Sequence, residues 1–166
     1  MKKKTTGLFV AALLTLSAGA VLAQANFAGT WVLDPKQSQG VPDGVGMTMV
    51  VKQTGNRVEI ETDITTSQGQ QKIADLYILD GKETDYKPPV MGPGTGKGRR
   101  TSTWTADRKG FDVTEKATLD GPQGPTTVSA TRKWTLSADG KTLTMDVAMT
   151  SPEGERVSKR IFTKKS

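Results

Sequence analysis

From Ala28 almost to its end the chain alternates apolar and polar residues in short runs, each closed by a cluster of Gly, Asp, Asn, Ser or Pro. A period of two sends successive side chains to opposite faces, so the pattern builds strands rather than amphipathic helices, and the frequent turn clusters join them as antiparallel hairpins. In "VEIETDIT", Val58, Ile60, Thr62 and Ile64 face one way while Glu59, Glu61 and Asp63 face the other. In "VGMTMVVKQ", Val45, Met47, Met49 and Val51 share a face, and "TGN" at 54–56 closes the hairpin between the two. Nine strands are predicted, at 28–33, 45–53, 57–65, 70–79, 99–106, 111–119, 126–137, 142–150 and 156–164. "SADGKTL" and "ADRKGFDV" each predict a type I turn followed by a glycine in the left-handed conformation.

Strands in sequence order expose two edges, and closing the meander on itself removes them. The predicted fold is therefore all-β, an antiparallel up-and-down meander closed into an 8–9-stranded barrel, with a two-sheet sandwich as the alternative. The runs at 38–46 and 86–98 are the long loops, the second long enough to lie across an open end.

The N-terminus does not follow this pattern. "MKKKTTGLFVAALLTLSAGAVLAQA" has three lysines, an apolar stretch and then small residues at alternate positions, the three regions of a secretory signal peptide. Cleavage is expected after Ala23 or Ala25, making 1–23 the signal and 26–166 a single domain in the periplasm or outside the cell. No second apolar stretch reaches the length of a membrane helix, so no membrane insertion is expected. Three of the 23 basic residues leave with the signal, which lowers the net charge from +6 to +3. So weak and scattered a charge argues against a nucleic-acid partner, and a monomer is expected.

Two residue types are missing altogether, Cys and His. Without Cys no disulfide forms, and packing alone must stabilise the domain. Without His, Ser-His and Cys-His triads and most zinc, copper and iron sites are excluded; no metal and no cofactor is expected. The glycine-rich "GPGTGKGRR" at 92–100 is not a nucleotide cradle. Three residues rather than four separate Gly92 from Gly96-Lys97, Gly98 stands where a hydroxyl must bind magnesium, and a strand follows instead of a helix.

"FAGTWVLDPKQS" contains Gly29-Thr30-Trp31, the Gly-x-Trp that opens lipocalins and related calycin barrels. With its meander, the chain resembles the small exported bacterial proteins described as lipocalin-like. The resemblance implies a barrel floor in which Gly29 allows close approach, Trp31 plugs the closed end and Arg160 lies over the indole, with Lys159 as the fallback.

Charges fall on the apolar face in two strands. Glu115 lies among Phe111, Val113, Ala117 and Leu119; Arg132 lies among Val128, Ala130, Trp134 and Leu136. Aligning the apolar faces places Glu115 opposite Arg132, or diagonal to it one register away, and the preceding strand adds Arg100 and Trp104 to the same face. A buried ion must pair, meet water or meet a ligand. The predicted binding residues are Arg100, Trp104, Glu115, Arg132 and Trp134. Two Arg against one Glu leave a cationic surplus for a carboxylate or phosphate; the alternatives are a structural ion pair in a water-filled, ligand-free barrel and a flattened barrel with these charges on a solvated face.

The expected function is an exported, non-catalytic barrel that holds a small amphipathic or anionic molecule. Its apolar walls would come from Met47, Met49, Val58, Ile60, Trp104, Trp134, Met145 and Val147. The second reading is an envelope interaction module, an inhibitor or accessory protein, that acts through the 86–98 loop with Tyr86 and Met91 exposed. An enzyme is not expected, because Glu115 has no second carboxylate evident on its face.

Overall fold

The computed structural model describes residues 24–89, 95–121 and 124–165. The signal segment and Met91 lie outside them. Ten strands follow one another: β1 (Gly29–Leu33), β2 (Gly46–Thr54), β3 (Arg57–Thr66), β4 (Gly69–Ile78), β5 (Asp80–Tyr86), β6 (Thr95–Trp104), β7 (Gly110–Gly121), β8 (Gly124–Leu136), β9 (Thr142–Ser151) and β10 (Gly154–Lys164). Every pairing is antiparallel, and the sheet runs β4-β3-β2-β1-β10-β9-β8-β7-β6-β5. β1 joins β10 through Trp31 opposite Lys164, which closes the meander. β4 and β5 are the two strands that do not pair, so the barrel is nearly closed, with a seam.

Ten strands replace the eight or nine expected. The extra one is β5, "DGKETDY", almost wholly exposed and without apolar alternation; hydrogen bonds to β6 hold it extended, with a bulge between Asp80 and Glu83. β6 also begins at Thr95, inside the run read as a loop.

The turns follow their chemistry. Thr54 pairs with Arg57 around Gly55, which has a φ of 56°, as the "TGN" signal required. Ser137–Lys141 turns with Gly140 at φ 68°, as expected. In the matching turn at 105–110 it is Arg108, not Gly110, that takes the left-handed conformation, with φ 54°. Gly110 is needed for space, because a Cβ there would stand 2.2 Å from the Trp134 carbonyl oxygen.

The inner faces form one apolar core, densest at the end that holds residues 24–27 and the 105–110 turn. Phe27 and Phe111 meet edge to face at 5.1 Å, Phe111 stacks on Trp134 at 5.4 Å, and Trp104 lies against Phe27 at 6.0 Å. Trp31 is fully buried and donates its indole N–H to the Phe27 carbonyl at 2.8 Å. Emptying such a position, as in Phe111→Ala, costs about 3–5 kcal/mol. This end is the floor. Toward the other end the inner side chains of β3 and β8 lose cover, and the barrel opens.

Candidate functional site

Five ionisable side chains project inward between floor and mouth. β6 and β7 pair Arg100 with Glu115, and β7 and β8 pair Glu115 with Ala130 and Val113 with Arg132. The diagonal register therefore holds, and Arg132 reaches back to form an ion pair with Glu115. Arg100 Nη2 lies 3.2 Å from the other Glu115 oxygen and 2.9 Å from Asp75 Oδ1 on β4. Arg100 and Glu115 are almost wholly buried, at 4 % and 3 % exposure. Arg100 also lies over the rings of Tyr86 at 3.9 Å and Tyr77 at 4.8 Å, so its cation is enclosed by two carboxylates and two aromatic faces.

Asp75 and Tyr77 were not anticipated, although the signal that revealed Glu115 was present. In "QKIADLYIL" Asp75 falls between Ile73 and Tyr77 on the inward-facing positions. Asp75 changes the charge balance. Asp75 and Glu115 neutralise Arg100 and Arg132, so the surplus passes to Arg160 on β10, for which no carboxylate partner is found among the described residues.

Arg160 is consequently not the floor residue that the resemblance implied. It sits on the correct face but four residues too far along β10, opposite Met145, and its Nη1 lies 3.9 Å from Met47 Sδ. The cation over Trp31 is Lys164, its Nζ 5.2 Å from the ring centroid. Gly29 permits this contact, since a Cβ there would stand 2.6 Å from Lys164 Cε. The fallback, Lys159, lies on the outer surface. Trp104 is also displaced from the expected site; it packs at the floor and donates its indole N–H to Asn56 at 3.0 Å.

Trp134 does face the charges. With Met47, Met49, Ile60, Asp75, Tyr77, Met145, Arg132 and Arg160 it lines an inner cavity of about 90 Å³. Apart from Arg132 Nη1, which is ion-paired with Glu115, two buried donors around that cavity have no partner, Trp134 Nε1 and Arg160 Nε. Of the predicted walls, Val58 belongs to the floor and Val147 packs against the core. Burial and the neighbouring Arg132 guanidinium both destabilise the Arg160 cation and lower its pKa. Burial pushes the Tyr77 phenol up to about 12, with the Asp75 charge adding to it. Arg132 and Glu115 also form the base of a second recess at the mouth, about 490 Å³, walled by Pro88, Pro89, Leu119, Val128, Ala130 and Met149 and rimmed by Arg156 and Glu153. The site thus offers a cationic, donor-rich pocket below an apolar one. No group of His, Cys, Asp or Glu that would hold a metal occurs among the described residues.

No protein-family model matches the sequence, and no curated protein does. Among solved structures, the chain is similar to the zebrafish ileal bile acid-binding protein complexed with cholic acid, at 17 % identity, covering 84 % of this chain and 98 % of that one with a TM-score of 0.50. The fold is that of a calycin-type β-barrel. That protein's name and its complex describe bile acid binding. At this identity the likeness extends to the architecture.

Proposed function

We propose that this chain is an exported, non-catalytic barrel that holds a small amphipathic anion, its anionic group in the inner cavity beside Arg160 and its apolar body in the mouth recess. The observation that carries the reading is the pair of buried donors, Trp134 Nε1 and Arg160 Nε, left without acceptors around a cavity that also holds the guanidinium of Arg160, uncompensated by any carboxylate among the described residues. An unsatisfied buried donor costs about 1–3 kcal/mol, more when charged, and an acceptor in the cavity recovers that cost on binding. The cholic acid complex of the similar barrel supports the ligand class, since cholic acid is itself an amphipathic anion.

Export rests on the first 23 residues. A cut after Ala23 keeps two contacts that a cut after Ala25 removes: Gln24 donates to the Gly55 carbonyl at 2.8 Å, and Ala25 N–H donates to the Arg108 carbonyl at 2.9 Å. The interaction-module reading loses one anchor, because Tyr86 turns inward onto Arg100 rather than outward.

Native mass spectrometry of the protein taken from its own envelope fraction tests the whole reading. The expected mass is that of residues 24–166 plus a co-purifying acidic small molecule, lost in Arg160→Leu and retained in Lys159→Leu. A ligand-free spectrum for the wild type, or a ligand that survives Arg160→Leu, overturns it.

A further inference from the structure

The segment after β5 runs into the barrel instead of over it. Tyr86 stacks on Arg100, Pro88 packs on the inner face of β6, and Pro89, which is exposed, stands at the rim. Two glycines on that face make this possible. A Cβ on Gly98 would stand 2.3 Å from Tyr86 Cε1, and one on Gly96 would stand 2.5 Å from Pro88 Cγ. Neither has a positive φ, so space alone requires glycine there. Glycine within a strand is destabilising relative to alanine, so the pair forms a local liability that the close approach offsets. The two prolines fit the same design. Proline has no N–H, so the strap enters a partly apolar mouth without bringing unpaired donors at positions 88 and 89.

Pro89 lines both the mouth recess and the inner cavity, a position it shares with Tyr77's neighbour across the barrel, Arg132. Its ring is a wall common to the two compartments.

We infer that Tyr86–Pro89 is a built-in occupant of the ligand space that sorts ligands by length, an inference that rests on the binding reading above. A compact anion fits the inner cavity with the strap seated. An elongated amphiphile has its head in one compartment and its body in the other, and therefore requires Pro89 to withdraw. If the strap is seated in about nine molecules of ten, the apparent affinity for an elongated ligand is lowered about tenfold.

The test compares acetate and decanoate by calorimetry on the wild type, Gly96→Ala and Pro89→Gly. The alanine pushes on Pro88 and the glycine removes the dividing ring. Both variants are expected to bind decanoate about tenfold tighter, while in Gly96→Ala, a position that lines neither cavity, acetate affinity stays within about twofold. Unchanged decanoate affinity, or acetate rising in parallel, overturns the inference. A second readout needs no ligand: acrylamide quenching of Trp134 in a Trp104→Phe background, where the fully buried Trp31 emits but is shielded from the quencher. Quenching that rises in both variants supports the divider; quenching equal to the wild type overturns it. Absence of binding by either probe in every protein sinks the binding reading and the sorting role, and quenching then decides whether the strap separates mouth from interior.

Discussion

Tyr77 shows how a single buried side chain couples to pH. Its phenol is fully enclosed, next to Asp75, and burial pushes its pKa up to about 12 from the ordinary 10. The raised value means that the unfolded chain loses the proton first as pH rises. The stabilising effect is complete below pH 10 and disappears between about 10 and 12, a loss on the order of 3 kcal/mol at 1.4 kcal/mol per unit. Urea unfolding from pH 9 to 12 should show this decline in the wild type, and the difference from Tyr77→Phe should isolate it from the lysines that titrate in the same range. Parallel profiles for the two proteins would refute it. Arg132 and Arg160 illustrate the opposite roles that two inward cations can have. Arg132 is consumed by Glu115; Arg160 is not.

Among the elements, the two turns at 105–110 and 137–142 are built alike. Thr105 donates to Asp107 at 2.7 Å and Ser137 to Asp139 at 2.6 Å, and each Asp accepts the backbone N–H two residues on, at 3.0 and 3.1 Å. The left-handed position between them is Gly140 in one turn and Arg108 in the other. A side chain at positive φ is strained by about 1 kcal/mol. Arg108→Gly should therefore raise the urea midpoint, with a gain of up to about 1 kcal/mol offset in part by the extra freedom of glycine in the unfolded chain. A lower midpoint would show that the Arg108 side chain contributes more than its backbone costs. β5 makes a further point about elements: its sequence has no strand signature, and it is a strand because β6 offers it an edge.

For the whole molecule the question is what stands in for the missing β4–β5 ladder. Arg100 spans the seam from β6, with Nη2 on Asp75 and Nη1 3.4 Å from the Leu76 carbonyl, both on β4. The charged network is thus architectural at its Arg100 end and available to a ligand at its Arg160 end. Arg100→Met leaves Asp75 without its guanidinium and Glu115 with one partner, a loss of about 3–5 kcal/mol for a broken buried pair. Hydrogen exchange should rise first in the bonded amides of β4 and β5 and least in β9 and β10, which lie far from the seam. Uniform acceleration across all ten strands would place the network in general stability rather than in the seam.

The alternation alone determined that the chain is a meander of antiparallel strands with Glu115, Arg100 and Arg132 on its inner side, because a period of two leaves no choice of face. The turn residues placed the hairpins along the chain, while the β7–β8 register and the left-handed residue of the 105–110 turn were settled only by the fold. Only the tertiary structure decided how far along each strand a residue stands from floor or mouth. That distance depends on strand tilt and on the closure of β1 against β10, neither of which has a local signal. It moved Trp104 to the floor, put Lys164 rather than Arg160 over Trp31, and brought Asp75 across an unpaired seam to Arg100, so that the free charge in the interior lies on a residue that the sequence had placed elsewhere.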